Sequence, residues 1–407
     1  GRKRTMPINP QLLTGQANPF PAYAAARRDE RVSVLPGFNL WSVTRYEDCI
    51  SILRDPATFS SDGLTYGPRM FTEMIPPEAR PQRSMLTLDP PDHTRLRSMV
   101  NRAFTPRMVA QLEPRMRQVT DELLGSVIES GRIDVIEDIA TPLPVIMIAE
   151  ILGVPPEDRA DFKQWSDALV AGLGNGLAGM QVVAGAQGAR DEFIKYFTHI
   201  FELRRTEPRG DLVSNLLKLE AEGDRLTPEE VMAMCILLLV AGNETTTNLI
   251  GNAMLALTGL PDVRDRLAAG DSLVPSAVEE ALRYYPPVQA TIRFPRQDVE
   301  IRGQQIGAGQ PVVVWLASAN RDEEVFPDAE TFDIAREDNR HISFGLGVHF
   351  CLGAPLARLE AKVALEAMLH RLPNFRRADA AELPRIPSFI FYGVKSLPLA
   401  FDVAVPA

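Results

Sequence analysis

The chain has 407 residues, 24% charged and 45% hydrophobic, a balance that supports a packed core and excludes a disordered chain. Lys and Arg number 43 against 53 Asp and Glu, and the formal charge of −10 sets up a field that repels nucleic acid. Three cysteines, Cys49, Cys235 and Cys351, with no C-x-x-C spacing, argue against a disulfide framework and a zinc site.

From the N-terminus, GRKRTMPINPQLL is basic with no apolar stretch after it, so no signal peptide is expected. Residues 1–5 are expected to be an extraneous or unstructured leader. Apolar spacing of three and four predicts helices over 46–54, 93–104, 106–130, 142–152, 156–173, 184–204, 211–221, 227–260, 261–269, 274–284 and 354–372. Strand signals fall over 32–43, 299–314 and 390–403. The fold class is therefore mainly α with small β-sheets. The 33 prolines punctuate elements without forming a linker, and no repeat or Ser/Gly-rich hinge appears, so 1–407 reads as a single domain. The longest apolar run, 231–242, is shorter than the roughly 20 residues of a membrane span. No membrane contact and a cytoplasmic location are expected.

Phe344-Gly345-Leu346-Gly347-Val348-His349-Phe350-Cys351-Leu352-Gly353 carries the strongest chemical signal. Its glycines permit positive φ and close backbone approach. Cys351 falls just before a helical pattern, where helix-start N–H groups favour a thiolate. A thiolate placed there is a metal ligand, or a nucleophile with His349 as its base; a haem ligand needs only the N–H bonds and an apolar wall such as Phe344. Cys49 and Cys235, on apolar helix faces, read as buried core residues.

FGLGVHFCLGAPLAR resembles the haem-binding signature of the cytochrome P-450 superfamily, matching at Phe344, Gly345, Gly347, His349, Cys351, Gly353, Leu356 and Ala357. The resemblance implies the cytochrome P-450 fold, with a long central helix crossing over the haem. It also implies haem b as cofactor, Cys351 as its axial thiolate and His349 on a haem propionate.

Other segments agree. Glu280 and Arg283 lie at i, i+3, and with Pro286 and Pro287 after them they resemble the family's E-x-x-R helix, implying a structural network joined by Arg336. The helix 227–260, opened by the Thr227, Pro228 and Glu230 cap, is apolar nearly all round and then turns polar at Ala241-Gly242-Asn243-Glu244-Thr245-Thr246-Thr247-Asn248. Threonine hydroxyls can take over backbone carbonyls there and leave a groove for water. AGNETT resembles the family's oxygen-activation motif, with Glu244 as the acid and Thr245 as the alcohol of a proton relay. DPPDHTRLR resembles the helix that holds the propionates through His93 and Arg97, and Arg293 matches the third propionate ligand.

Six arginines between 95 and 117 face one acid, Glu113, a local surplus of +5. With no aromatic interleaving it does not read as a nucleic-acid site. The resemblance implies docking of an acidic ferredoxin near Arg95, Arg97, Arg102 and Arg107, with electrons arriving from NAD(P)H through a ferredoxin reductase. O2 is the co-substrate, and a monomer is expected. By analogy the substrate pocket is lined by Tyr66, Phe71, Met74, Leu237, Val240, Ala241, Val288, Ile292, Phe389 and Phe391, an apolar set for a medium-to-large hydrophobic molecule. Arg69, Arg80 and Arg83 read as solvated, and the glycine-rich stretch 169–180 reads as a mobile lid. The rival readings are a non-catalytic haem-thiolate sensor and a cysteine-nucleophile hydrolase.

Overall fold

The structure, a computed structural model, describes residues 8, 18–35, 37, 39–69, 83–174, 180–221, 226–270 and 272–403. Phe71, Met74, Arg80 and the middle of the glycine-rich stretch lie outside the described residues.

The central helix, Pro228–Thr258, is the element around which the rest is arranged. It begins where the Thr227 hydroxyl accepts from the Glu230 amide and the Glu230 carboxylate accepts from the Thr227 amide, a reciprocal cap with proline in the first turn. Its 31 residues run about 46 Å at ~1.5 Å each. By length and composition it could cross a membrane, but here it is buried against Pro142–Leu152, Val274–Tyr284 and Ala354–Arg371. Its all-round apolar surface is the surface of a core helix.

Three small sheets flank the helices. Five strands run in the order Val32–Leu35, Leu40–Val43, Val312–Val314, Thr291–Pro295 and Phe59–Ser60, with only the second and third parallel. Arg132–Asp134, Pro398–Ala400 and Arg376–Arg377 make a second sheet, and Val299–Ile301 with Gln304–Ile306 a hairpin.

Several expected boundaries shift for identifiable reasons. The helix expected over 106–130 divides into Pro106–Gln111, Glu113–Gly125 and a 3-10 turn Ile128–Ser130, because Pro114 starts a new helix at the break. The segment 299–314 divides between two sheets at the Gly309 turn, where φ is +77°. Of the strand expected over 390–403, only Pro398–Ala400 pairs in a sheet; Phe391 and Val394 make isolated bridges to Val288 and Arg385. The helix Phe20–Asp29 and the strand Thr291–Pro295 carry weak periodicity and were not expected.

Candidate active site

The cysteine loop is pinned by its glycines. Gly345 and Gly347 both adopt φ of +69°, and a Cβ on Gly347 would stand 2.5 Å from the carbonyl oxygen of Leu53, at the end of the helix Tyr46–Arg54. The Cys351 amide donates to the Phe344 carbonyl at 2.9 Å, closing the loop ahead of the helix Ala354–Arg371. The backbone N–H groups of Gly353 and Ala354 donate to the sulfur. Burial pushes the thiol above its ordinary value, while those N–H groups and the charges of Arg97 and Arg358 pull the other way. Burial outweighs them and favours the thiol, and a metal cation bound beside the sulfur would favour the thiolate. His349, the base a nucleophile would require, turns instead to His93, with ring centroids 4.3 Å apart.

Around those two imidazoles lies a buried basic cluster. His93 is buried in the helix Asp92–Ala103, and among the described residues neither of its ring nitrogens has a hydrogen-bond partner; His349 Nε2 is likewise buried and unpartnered among them. Arg97 acts electrostatically on both rings, and Arg293, buried in its strand, on His349. Burial, reinforced by Arg293, drives His349 down to about 3, and burial lowers Arg293 to about 10. Asp89 offsets part of this charge, but it is already tied to Arg296 at 2.8 Å, to the Ser61 amide at 2.9 Å and to the Ser60 hydroxyl. Orphaned buried imidazoles beside two guanidiniums form a receptor for carboxylates. The residues present therefore fit haem: propionates at this cluster, iron at the sulfur.

The opposite wall is one stripe of the central helix. Leu237, Val240, Ala241, Glu244 and Thr245 follow a spacing of three and four and are only partly buried, with Ala241 exposed in mid-helix, whereas Leu239, Asn243 and Thr246 are buried. Expected pocket residues and the acid–alcohol pair therefore share a face. The Thr245 hydroxyl donates to the Ala241 carbonyl at 2.7 Å, the backbone capture expected from the sequence. Burial raises the Glu244 carboxyl above its usual range, and Asn248, one turn on, donates to it at 3.2 Å. Of the other expected pocket residues, Val288 bridges to Phe391, and Ile292 lies in the strand Thr291–Pro295 beside Arg293. Tyr66 packs its ring under the Arg296 guanidinium at 4.7 Å. Phe389 packs against Trp315 at 6.4 Å.

Behind the loop, Glu280 and Arg283 are fully buried and joined twice, at 2.8 and 2.7 Å. Arg283 also donates to the carbonyls of Asn320, Ala329 and Thr331, and Arg336 donates to Glu280 at 3.2 Å. The Asp333 amide and the Asn339 side chain complete the carboxylate's shell. Every member has a partner, as a buried ionic network requires.

A cytochrome P-450 family profile matches residues 272–377, the stretch holding this network and the cysteine loop. Cytochrome P-450 109 of Bacillus spizizenii is 45% identical over 385 residues, covering 94% of this chain and 91% of its own length. The chain belongs to the cytochrome P-450 family. The cytochrome P-450 monooxygenase PikC of Streptomyces venezuelae is 42% identical over 391 residues, with 94% of this chain and 91% of that protein covered. The crystal structure of CYP109E1 from Bacillus megaterium in complex with testosterone superposes with a TM-score of 0.85 at 40% identity, covering 95% of this chain and 100% of that one. This P-450 is thus a haem-thiolate monooxygenase with the fold its sequence implied.

Two expectations need correction. The arginine surplus over 95–117 is largely neutralised by acids that folding brings from elsewhere. Arg95 pairs with Glu230, Arg115 with Glu150 at 2.8 Å, and Arg117 with Glu113 at 2.6 Å and Glu366 at 2.8 Å. Arg97 lies beside the two imidazoles; Arg102 and Arg107 are exposed, as is the ion-paired Arg117. Arg83 is not merely solvated, since it pairs with Asp62 and donates to Thr65 at 2.9 Å.

The sequence reading also passed over four residues. Glu360, fully buried and raised to about 8 by burial, accepts from the Thr246 hydroxyl beside the relay pair. Glu279, His341 and Arg358 form a second network at the loop. Arg358 ends the very motif that identified the cysteine, and Glu279 is half of a Glu-Glu doublet, so both stood in plain view.

Proposed function

We propose that this P-450 binds haem b and inserts one oxygen atom of O2 into an apolar substrate of steroid size. In this reading one cytoplasmic, monomeric unit receives electrons from NAD(P)H through a ferredoxin reductase and a ferredoxin. The observation that carries the reading is the pairing of two walls: a sulfur held by helix-start N–H groups beside orphaned imidazoles, and a helix stripe that puts an acid and an alcohol on the same face as an apolar lining.

When bound, haem supplies the electron transfer and oxygen chemistry that side chains lack. Cys351 would hold its iron through the sulfur; His93, Arg97, Arg293 and His349 would hold its propionates; Phe344, Gly345 and Gly353 would shape the loop against it. Glu280, Arg283 and Arg336 brace that loop from behind. Burial of Glu244 keeps its carboxyl protonated to higher pH than an exposed acid, which suits a group that passes protons inward. The Thr245 hydroxyl, now satisfied by the Ala241 carbonyl, can turn to donate into the pocket and take a proton from the Glu244 side. Leu237, Val240, Ala241, Val288, Ile292, Phe389, Phe391 and Tyr66 exclude water and orient the substrate. Phe71, outside the described residues, is proposed for the same lining. The relative solved with testosterone supports a steroid-sized occupant.

Ferredoxin docking is proposed on the cysteine side through exposed Arg102 and Arg107, with Arg95 and Arg97 nearby but engaged. The test is turnover of the haem-loaded enzyme with ferredoxin, its reductase, NAD(P)H and a panel of steroid-sized apolar molecules. The expected result is oxygen uptake matched by hydroxylated product. Oxygen uptake that yields only peroxide across the panel, with no spin-state shift of the ferric haem, would refute the substrate class.

A further inference from the structure

The network of Glu279, His341 and Arg358 has a geometry that bracing alone does not require. Arg358 donates to both oxygens of Glu279, through Nε at 2.6 Å and a terminal nitrogen at 2.9 Å. Such a fork fixes the plane of the guanidinium as well as its position. His341 Nδ1 accepts from the Ser343 amide at 3.3 Å, so its Nε2 carries the proton and donates to Glu279 at 3.0 Å. The carboxylate thus has two donors, and the His341 side chain is buried. His341 and Arg358 hold the Glu279 carboxyl far down, at about 2, although burial alone would raise it.

Held this way, the Arg358 guanidinium lies over the ring of Phe344, 4.5 Å from its centroid. Phe344 is the residue whose carbonyl accepts the Cys351 amide, and the Arg358 charge is among those that act on the cysteine sulfur. One ion pair therefore controls both the wall beside the sulfur and a positive charge in its field.

We propose that Glu279 and Arg358 form an electrostatic clamp that sets how easily the cysteine-ligated iron accepts its electron. Arg358 supplies the favourable field. Glu279 is a positioning residue that aims the guanidinium at Phe344 and offsets part of its charge. The inference rests on Cys351 being the axial ligand. Reduction adds one negative charge to the iron–thiolate unit, with the electron supplied by the redox partner, so a nearby cation favours the reduced form.

The test is potentiometric titration of the haem-loaded protein, with the carbon monoxide spectrum of each variant recorded alongside. Arg358→Leu removes the cation and leaves Glu279 uncompensated; the equilibrium constant for reduction is expected to fall about tenfold, a one-electron shift of about 59 mV. Glu279→Gln keeps an acceptor for the guanidinium but removes the countercharge; the constant is expected to rise several-fold. Opposite signs are the signature, because simple loosening of the loop would move both variants the same way. Equal shifts, or none, with a normal carbon monoxide band would overturn the clamp and leave the ligand assignment standing. A wild-type protein without the red-shifted band would overturn both. If the leucine variant fails to take up haem, Arg358→Lys, which keeps the charge but loses the fork that aims it, is expected to fall between wild type and a tenfold loss; a value above wild type would contradict the clamp.

Discussion

The two walls of the pocket are built on different principles. On the cysteine side, polar groups are buried and almost all spoken for: Glu280 and Arg283 are fully enclosed, and the unpartnered nitrogens of His93 and His349 gather at one place. On the proposed substrate side, the lining drawn from the central helix, the segment 288–292 and the residues 388–391 is mostly apolar, with Gln289 and Ser388 making directed bonds. Directed bonds fix geometry to fractions of an ångström; apolar contacts fix only volume and shape. The cysteine wall should therefore tolerate no change, while the substrate wall should accept change and answer with altered selectivity.

The sharpest way to break that contrast is to cut the buried network. Arg283→Leu leaves the buried Glu280 with Arg336 as its remaining cationic partner, and about 3–5 kcal/mol of stability should be lost. Urea unfolding and haem retention measure it; a variant that keeps wild-type stability would show that the network is not a brace.

Next in size is Glu360. Burial raises its carboxyl to about 8, so the folded state holds a proton that the unfolded chain releases near pH 4.5. The contribution of Glu360 to stability should be whole below about pH 4.5 and decline as pH rises toward 8, by an upper bound of roughly 5 kcal/mol. Glu360→Gln should flatten that slope in unfolding midpoints measured from pH 5 to 8. An unchanged slope would mean the acid is not held neutral.

A third test separates relay from scaffold. Thr245→Ala should leave folding and the carbon monoxide spectrum intact, yet reduce product formed per NAD(P)H by about tenfold or more. Full coupling in this variant would remove Thr245 from the relay.

The two smallest effects concern the periphery. Val288→Ala or Phe391→Ala should shift selectivity among apolar substrates by roughly 10–200-fold without affecting haem uptake. Replacing Arg102 and Arg107 with glutamate should slow reduction by ferredoxin several-fold at low salt, with the difference fading as salt rises. Loss of haem in the first case, or a salt-independent effect in the second, would blur the line between the walls.

The same contrast decides what the sequence could disclose. Cys351, its glycines, His349, the pair Glu280 and Arg283, and the run Glu244-Thr245 were legible because each needs a particular residue type at a particular offset. The central helix was legible through its cap and its all-round apolarity. The arginine surplus misled, because Glu150, Glu230 and Glu366 meet Arg115, Arg95 and Arg117 only after folding. Glu360 and Glu279 were passed over for a related reason: an acid within a helix looks solvated until its neighbours are known. The break at Pro114 is local and could have been read. The substrate remained out of reach, since an apolar lining has no fixed spacing.

The central claim is that the Cys351 sulfur is the axial ligand of a haem whose propionates end at His93, Arg97, Arg293 and His349. The carbon monoxide difference spectrum of the reduced haem-loaded protein, wild type beside Cys351→His, tests it most directly. A red-shifted thiolate band in the wild type that is absent from the variant is the predicted result. An imidazole-type band in the wild type, or a red-shifted band surviving in the variant, would contradict the account.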